Sequence, residues 1–150
     1  MKACCFGHRE QYRDIDKQLD DYIEYLITNN CVDIFYVGGM GETDSKFSSS
    51  VRKAKRIHKD TKLILVKPYF SSELNTNKEY YEQMYDDVII PTELADVHYK
   101  AAIEKRNCWM IDNSDFVISC VYRESGGAVT AIRYAEKKEK AIINLFKTKK

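Results

Sequence analysis

The sequence has almost no excess of charge of either sign, which bears on the class of its partners. Its 150 residues carry 24 Lys and Arg against 23 Asp and Glu, giving a formal net charge of +1 at pH 7. Proteins that rely on duplex nucleic acid are usually more basic than this. The basic run from Lys46 to Lys67 follows a predicted helix and its flanks, where such charges usually form a solvated face. We therefore expect nucleic acid to be an unlikely partner.

Paired cysteines are also missing. The five cysteines are an odd number and include no CxxC pair. Cys5 and Cys120 lie in apolar, strand-like runs. We interpret the cysteines as small buried residues in a reducing compartment, and neither a disulfide framework nor a zinc site is expected.

Long apolar runs, repeats and domain linkers are absent as well. No apolar run approaches the roughly 20 residues of a membrane-spanning helix, and a predicted strand begins close to the first residue. We expect a cytoplasmic protein with no signal peptide and no membrane partner. The length fits one domain spanning 1–150.

The common catalytic and nucleotide-binding motifs do not occur. The chain has no GxxxxGK[ST] P-loop, no GxGxxG, no acidic residue ending the second strand and no nucleophile elbow. His8, His58 and His98 have no metal-ligand spacing with one another. We therefore expect no metal and no other cofactor.

What the sequence does contain is a regular alternation of strands and helices. Apolar runs predict strands at 3–6, 32–37, 63–66, 88–90, 116–121 and 141–144. Amphipathic stretches predict helices from Asp14 to Asn30, from the Thr43–Ser45 cap to about Ile57, around Tyr80–Tyr85, from about His98 to Asp112, and from Ala128 to Ala135. Segment 92–97 has no clear prediction, and the charged tail 147–150 is expected to fray. The alternation predicts a single α/β domain with a mainly parallel sheet and helices on both faces.

Glycines and polar residues concentrate in the loops that follow the predicted strands. These loops are Gly7-His8-Arg9, Gly38 to Asp44, Lys67-Pro68-Tyr69 and Ser125-Gly126-Gly127. Right-handed crossovers bring the loops that follow parallel strands to one edge of the sheet, where open α/β folds bind ligands. The opposite loops contain no glycine. This asymmetry predicts a ligand site at the carboxyl edge.

Two glycine turns are the candidates for backbone contact with a ligand. Gly126 and Gly127 stand between the fifth strand and a helix, where free amides at a positive helix end suit a phosphate. The Gly38-Gly39-Met40-Gly41 turn lets the backbone approach a ligand closely. Both turns have a plainer interpretation as tight strand-to-helix connections.

The side chains near these turns leave alternatives open. Arg9 suits an anion, and His8 is placed to hydrogen-bond or transfer a proton, unless both belong only to a polar loop. Asp44 suits a ribose hydroxyl or an amino group, or it caps a helix. Tyr69 either stacks on a base or packs in the core.

Arg106 and Asn107 precede a buried methionine on the helix predicted from about His98 to Asp112. They face the same side as that helix's apolar stripe. An arginine on a buried face needs a partner. Either Asp112, Asp115 or a ligand anion is expected to supply it.

Several ordered motifs make the chain resemble the SLOG superfamily, named for the Smf/DprA and LONELY GUY proteins, and within it the small YpsA-like family. The motifs are CCFGHR, GGMGETD, KPY, RNCWMIDNSD and SGGAVTAIRYA, at matching spacing over nearly the whole length. The resemblance implies a Rossmann-like three-layer sandwich. It also implies a pocket for a nucleotide or nucleotide-derived ligand at the edge identified above.

The resemblance to LONELY GUY enzymes also bears on activity. Those enzymes cleave the N-glycosidic bond of cytokinin nucleotides, using an arginine ahead of strand five and a glutamate in a PGGxGTxxE motif. Arg106 resembles that arginine, and Gly126, Gly127 and Thr130 match the glycines and the threonine. Arg133 stands where the glutamate belongs, which argues against hydrolysis by that mechanism.

We therefore expect a sensor, carrier or regulatory module that binds a nucleotide or nucleotide-derived small molecule. The alternatives are a nucleoside-phosphate N-glycosidase and a single-stranded nucleic-acid binder. Trp109 and the tyrosine-rich helix 80–85 would suit a homodimer face, although core packing explains them equally well. The candidate ligand-binding residues are Gly7, His8, Arg9, Gly38, Gly39, Met40, Gly41, Asp44, Lys67, Tyr69, Arg106, Asn107, Ser125, Gly126, Gly127 and Thr130.

Overall fold

A computed structural model describes residues 1–146, which alternate between strands and helices along the chain. The strands are β1 (Lys2–Gly7), β2 (Ile34–Val37), β3 (Lys62–Val66), β4 (Asp87–Ile89), β5 (Phe116–Cys120) and β6 (Ala141–Asn144). The helices are α1 (Asp16–Asn30), α2 (Glu42–Lys55), α3 (Glu73–Thr76), α4 (Lys78–Met84), α5 (Tyr99–Asp112) and α6 (Gly127–Lys137). A short 3₁₀ helix spans Thr92–Leu94, in the segment for which the sequence gives no clear prediction. The tail predicted to fray, 147–150, lies outside the described residues.

The strands form one six-stranded sheet in the order β4-β3-β2-β1-β5-β6, and every neighbouring pair is parallel. The predicted α/β fold with a parallel sheet and helices on both faces is confirmed, and the described sheet is parallel throughout. The chain builds outward from β1 to β4 in one direction and then returns to add β5 and β6 on the other side of β1. Strands β1 and β5 therefore border the switch point, outside which open α/β sheets bind ligands.

Alternating strand residues divide the core into two layers. On one face Ala3 and Cys5 of β1 pack beneath α1 and α2, whose buried residues include Leu19 and Phe47. On the other face Cys4 and Phe6 of β1 belong to a second cluster with residues of α5 and α6 such as Met110, Ile111, Ala131 and Ala135. The sheet is thus covered on both faces, which explains why its strands read as nearly continuous apolar runs.

Helix α2 departs from the sequence prediction at both ends. It begins at Glu42, and Gly41 precedes it with a φ of 89° and no side-chain cap. Thr43, predicted as a possible cap, is buried and donates its hydroxyl to the carbonyl oxygen of His8 at 2.6 Å. The helix ends at Lys55, so Ile57 lies beyond it and is 77% exposed instead of facing the core. The local sequence favours Thr43 as a helix cap, but its hydroxyl instead hydrogen-bonds to the loop after β1.

Among the helices of residues 1–146, none has the length and apolar character needed to cross a bilayer.

Candidate functional site

A cavity of about 300 Å³ lies at the carboxyl ends of β1, β2 and β5, at the switch point of the sheet. It is bordered by the loops after these strands, by the first turn of α6 and by one side of α5. From the residues proposed on sequence grounds, it brings together Gly7, His8, Arg9, Gly38, Met40, Asp44, Arg106, Asn107, Ser125, Gly126 and Gly127. The topology brings the loop residues together because parallel crossovers return every post-strand loop to the same edge, and Arg106 and Asn107 reach the cavity from α5.

The remaining candidates do not line this cavity. Gly39 and Gly41 adopt φ values of 71° and 89° that make the turn possible, and a Cβ on Gly39 would lie 2.7 Å from the Leu65 side chain. Lys67 pairs with Glu73 (Nζ to Oε1, 3.3 Å). Tyr69 is 42% exposed beside the β3 exit, and Thr130 donates its hydroxyl back to the carbonyl oxygen of Gly126 at 3.2 Å.

Arg106 is the most deeply buried cation of the cavity, at 2% exposure. Its Nη1 donates to the carbonyl oxygens of Val66 at 2.8 Å and Gly38 at 3.1 Å, and its Nε donates to Oδ1 of Asn107 at 2.9 Å. None of these acceptors carries a charge. Burial lowers the pKa of Arg106, opposed first by the negative charge of Asp44.

The carboxylates expected as partners of Arg106 form hydrogen bonds with other residues. Asp112 accepts a hydrogen bond from the Tyr134 hydroxyl at 2.8 Å, and Asp115 accepts from the Lys2 amide at 2.9 Å. Neither contacts Arg106 in the described structure. The arginine instead joins the ends of β2 and β3 through their carbonyl oxygens, a role that hydrophobic periodicity does not indicate.

Gly38 has a steric reason for being glycine. A Cβ at this position would lie 3.0 Å from both Cζ and Nη2 of Arg106. The guanidinium therefore lies directly against the backbone of the turn, and a side chain at Gly38 would displace it. The first glycine of the turn therefore makes room for an arginine of the chain itself, and it also lines the cavity.

Asp44 is the one carboxylate among the described residues that line the cavity. Its Oδ2 accepts the amide of Met40 at 2.8 Å. Burial raises the pKa of Asp44 to about 6, and this rise is moderated by the Met40 amide and by Arg106 and Arg9. Because the Met40 amide is already paired, the turn after β2 has fewer free donors for an anion than its glycines indicate.

Replacing Asp44 with asparagine is expected to change how stability depends on pH. A carboxyl group whose folded pKa is raised contributes stability below its unfolded pKa, near 4, and loses it as pH rises through about 6. The wild type should therefore lose stability relative to Asp44→Asn between pH 4 and pH 7, because asparagine keeps the acceptor for Met40 and cannot ionise. Urea midpoints of both proteins at pH 4.5, 6 and 7.5 measure this difference. A constant difference between the two urea midpoints across that range would refute the raised pKa of Asp44.

His8 holds the loop after β5 in place. It is 7% exposed, and its Nε2 accepts the amides of Arg123 at 3.1 Å and Tyr122 at 3.2 Å. Two donors on Nε2 require that nitrogen to be unprotonated, so the neutral ring carries its proton on Nδ1. Burial, and then the charge of Arg123, lower the pKa of His8. The ring is thus a neutral acceptor that positions the loop.

The first turn of α6 presents unused backbone donors to the cavity. Gly126 precedes the helix with a φ of 121°, and its carbonyl oxygen accepts the Thr130 amide at 3.1 Å. Throughout residues 1–146, no hydrogen bond uses the amides of Gly127 or Ala128. A Cβ built on Gly127 meets no atom within 4 Å. The helix end is therefore both open and electropositive, as an anion site requires.

Close packing requires a glycine at position 7, independently of the role of this residue in lining the cavity. A Cβ there would lie 2.4 Å from Cγ2 of Thr43 and 2.9 Å from Cβ of Cys120. Gly7→Ala is therefore expected to cost about 1–3 kcal/mol of unfolding free energy through overpacking. Chemical denaturation measures this loss, and Gly127→Ala, which meets no neighbour, is the matched control. Equal stability of the two variants would contradict the close packing.

Sequence reasoning missed one polar residue of the site, Arg123, and the structural role of Arg133. Arg123 also lines the cavity, and its guanidinium lies 5.2 Å from the ring centroid of Tyr122. The position of Arg123 in the sequence, between β5 and the glycine turn, could have identified it as a candidate ligand-binding residue. Arg133, at the position of the hydrolase glutamate, is exposed and donates to the carbonyl oxygen of Glu124 at 3.2 Å. It braces the same loop from outside the cavity.

The tryptophan considered for a dimer face has partners within its own chain. Trp109 donates its indole N–H to Glu93 at 3.0 Å and packs edge-to-face on Tyr36, with the ring centroids 5.4 Å apart. No group of three or more His, Cys, Asp or Glu residues in the described part of the chain is arranged to hold a metal ion.

The fold is similar to that of solved DNA processing protein A structures. The Helicobacter pylori protein matches with a TM-score of 0.64 and 20% identity, over 99% of this chain and 66% of that chain. The Streptococcus pneumoniae protein matches with a TM-score of 0.65 and 14% identity, over 95% of this chain and 49% of that chain. This chain thus spans less than two thirds of the first protein and about half of the second. No protein-family model and no curated protein matches it.

These neighbours bear on two predictions. At 20% and 14% identity they show the fold alone, so the predicted Rossmann-like fold is confirmed, and the assignment to the SLOG superfamily and its YpsA-like family stays a prediction. The Helicobacter pylori protein binds single-stranded DNA. The prediction that nucleic acid is an unlikely partner is therefore wrong as an argument from composition, because a protein with this fold is known to bind it.

Proposed function

We propose that the chain is a cytoplasmic binding module of the SLOG superfamily, of the YpsA-like kind, for a nucleotide-derived small molecule. One observation carries the proposal. Arg9, Arg106 and Arg123 meet the unused amides at the start of α6 around one cavity, which contains one described carboxylate. Such a positive, concave site at the switch point of a parallel sheet suits a phosphorylated ligand.

The positions of the charges indicate how the ligand lies. The phosphate belongs at Gly126 and Gly127, because the amides there are unused and Arg123 stands in the same loop. Asp44 also lines the cavity, and its charge repels a phosphate. Its second carboxylate oxygen, Oδ1, has no protein donor among the described hydrogen bonds. A hydroxyl or amino group of the ligand would satisfy that oxygen, as a ribose does.

Single-stranded nucleic acid is the second candidate, and the similarity to DNA processing protein A favours it. A single strand would use the same phosphate site and extend beyond it over the surface. The two candidates differ in their salt dependence. For single strands the slope of log affinity against log salt is about −0.7 per neutralised phosphate, so a strand contacting several phosphates weakens far more steeply than a mononucleotide.

Thermal unfolding of the purified protein with a ligand panel tests the proposal. The panel contains nucleoside monophosphates, ribose 5-phosphate, inorganic phosphate and a short oligodeoxythymidine, each also assayed at high salt. At ten times its dissociation constant, a bound mononucleotide should raise Tm by about 3–6 °C. Chromatography of the same samples reports any free base, which would assign N-glycosidase activity to the site.

The outcomes separate the candidates. Stabilisation by mononucleotides with little salt dependence supports the small-molecule proposal. Stabilisation by the oligonucleotide alone, lost steeply with salt, replaces that proposal with single-strand binding. No stabilisation by any phosphorylated compound would refute both.

A further inference from the structure

A second cavity of about 320 Å³ lies in the groove between α5 and α6. It shares Ile103, Asn107 and Gly127 with the cavity at the switch point. The two spaces are therefore neighbours, and these three residues border both of them. Each space alone is close to the low end of ordinary ligand pockets, about 300 Å³, whereas the two together have room for a whole nucleotide.

The chemistry of the groove differs from that of the first cavity. Its walls include the apolar side chains of Ile103 and Ala131 and the ring of Tyr134. The Tyr134 hydroxyl is already bonded to Asp112 at 2.8 Å, so the ring is held in position. The charged members, Lys100 and Glu104, are of opposite sign. An uncharged, flat group is therefore better suited to this groove than a second phosphate.

Asn107 stands at the boundary of the two spaces. Its Oδ1 accepts Nε of Arg106 at 2.9 Å, which fixes the orientation of the amide. Its Nδ2 donates to no acceptor within residues 1–146. A donor is thus left at the junction, within reach of a ligand that passes from one space into the other.

We infer that the groove between α5 and α6 holds the base of a nucleotide whose phosphate occupies the switch-point cavity. The inference rests on the proposed function and assigns the second half of the ligand. Gly127 borders both spaces, so a nucleotide with its phosphate at the Gly126–Gly127 turn would extend past Gly127 into the groove. The absence of a side chain there keeps the passage open.

Cys108 provides a direct test, because it lines the groove and is partly exposed. Burial, followed by the charges of Asp112 and Glu104, raises the pKa of its thiol, so alkylation is slow enough to follow. Cys31 is exposed after α1, away from the groove, and serves as the internal control. The rate of iodoacetamide labelling at each cysteine is measured by peptide mass spectrometry, with saturating adenosine monophosphate or ribose 5-phosphate.

Adenosine monophosphate is expected to slow labelling of Cys108 at least fivefold and to leave Cys31 unchanged. Ribose 5-phosphate, which has the same phosphate and sugar but no base, should raise Tm without protecting Cys108. Equal labelling with both compounds, while both raise Tm, would overturn the base assignment and leave the phosphate site standing. If neither compound raises Tm, the proposed function itself fails. Protection by an oligonucleotide alone would also overturn the assignment of a mononucleotide.

A second variant tests the groove without chemical labelling. Thr130 is exposed and borders the groove but not the first cavity. Thr130→Phe should obstruct the groove, and Thr130→Ala is the matched control, since both lose the hydroxyl bond to Gly126. Thr130→Phe is expected to weaken adenosine monophosphate binding at least tenfold relative to Thr130→Ala, with ribose 5-phosphate binding unchanged. Equal loss for both ligands would contradict the inference.

Discussion

Replacing Arg106 with methionine is expected to cost about 2–5 kcal/mol of unfolding free energy and to abolish nucleotide binding. The buried guanidinium supplies the donors for the carbonyl oxygens of Gly38 and Val66. Methionine has a similar length but no donor, so both oxygens would stay buried and unpaired. The cavity would also lose the cation that faces Asp44. Urea denaturation measures the first effect, and ligand-induced Tm shifts measure the second.

Two comparisons make this result specific. Arg133→Met removes an exposed arginine that makes one hydrogen bond, to Glu124, and should cost less than about 1 kcal/mol. Arg106→Lys keeps the charge but loses the planar guanidinium, whose Nη1 reaches both carbonyls, so an intermediate loss is expected. If Arg106→Met were as stable as Arg133→Met, the structural role of Arg106 would be wrong.

Gly127→Leu is expected to abolish ligand binding while leaving the free protein at least as stable as the wild type. Leucine favours a helix over glycine by about 0.8 kcal/mol, and a Cβ here meets no atom within 4 Å. The added side chain would, however, fill the boundary between the two cavities. Isothermal titration with the best mononucleotide should show at least a hundredfold weaker affinity, and a urea titration should show no loss of stability.

Gly126→Ala is the control for backbone effects in the same turn. Its φ of 121° is strained for any other residue, and about 1–3 kcal/mol of destabilisation is expected. Gly127→Leu should thus lose ligand affinity without losing stability, whereas the main effect of Gly126→Ala should be a loss of stability. Unchanged affinity in Gly127→Leu would contradict the ligand position.

The sequence was sufficient to predict the edge of the sheet at which the loops meet, because that follows from strand order and crossover hand. It was not sufficient to predict which groups form hydrogen bonds with one another at that edge. Arg106 was expected to need a carboxylate or a ligand, and it instead pairs with backbone carbonyls from two strands. The backbone of the Gly38–Gly41 turn was expected to contact a ligand, but the Met40 amide in that turn donates to Asp44. Such pairings join residues far apart in sequence, so neither periodicity nor spacing encodes them.

The error about nucleic acid has a related cause. A net charge of +1 is an average over 150 residues, whereas the cavity gathers three arginines and one carboxylate from the described chain. Overall composition therefore says little about the local field at a small site. The helix-start error at α2 is similar, because Thr43 satisfies the buried carbonyl of His8 in preference to its own helix.

The neutral state of His8 sets an acid limit on the assembled cavity. Its Nε2 is the acceptor for both amides that anchor the segment carrying Arg123, and a protonated ring has no such acceptor. Because the folded pKa of His8 lies below its ordinary value, this anchoring stabilises the protein above about pH 6.5 and is lost as the solution becomes more acidic. In acid the segment that carries Arg123 would lose both of these hydrogen bonds to the loop after β1, whereas the backbone pairing of β1 with β5 has no group that titrates.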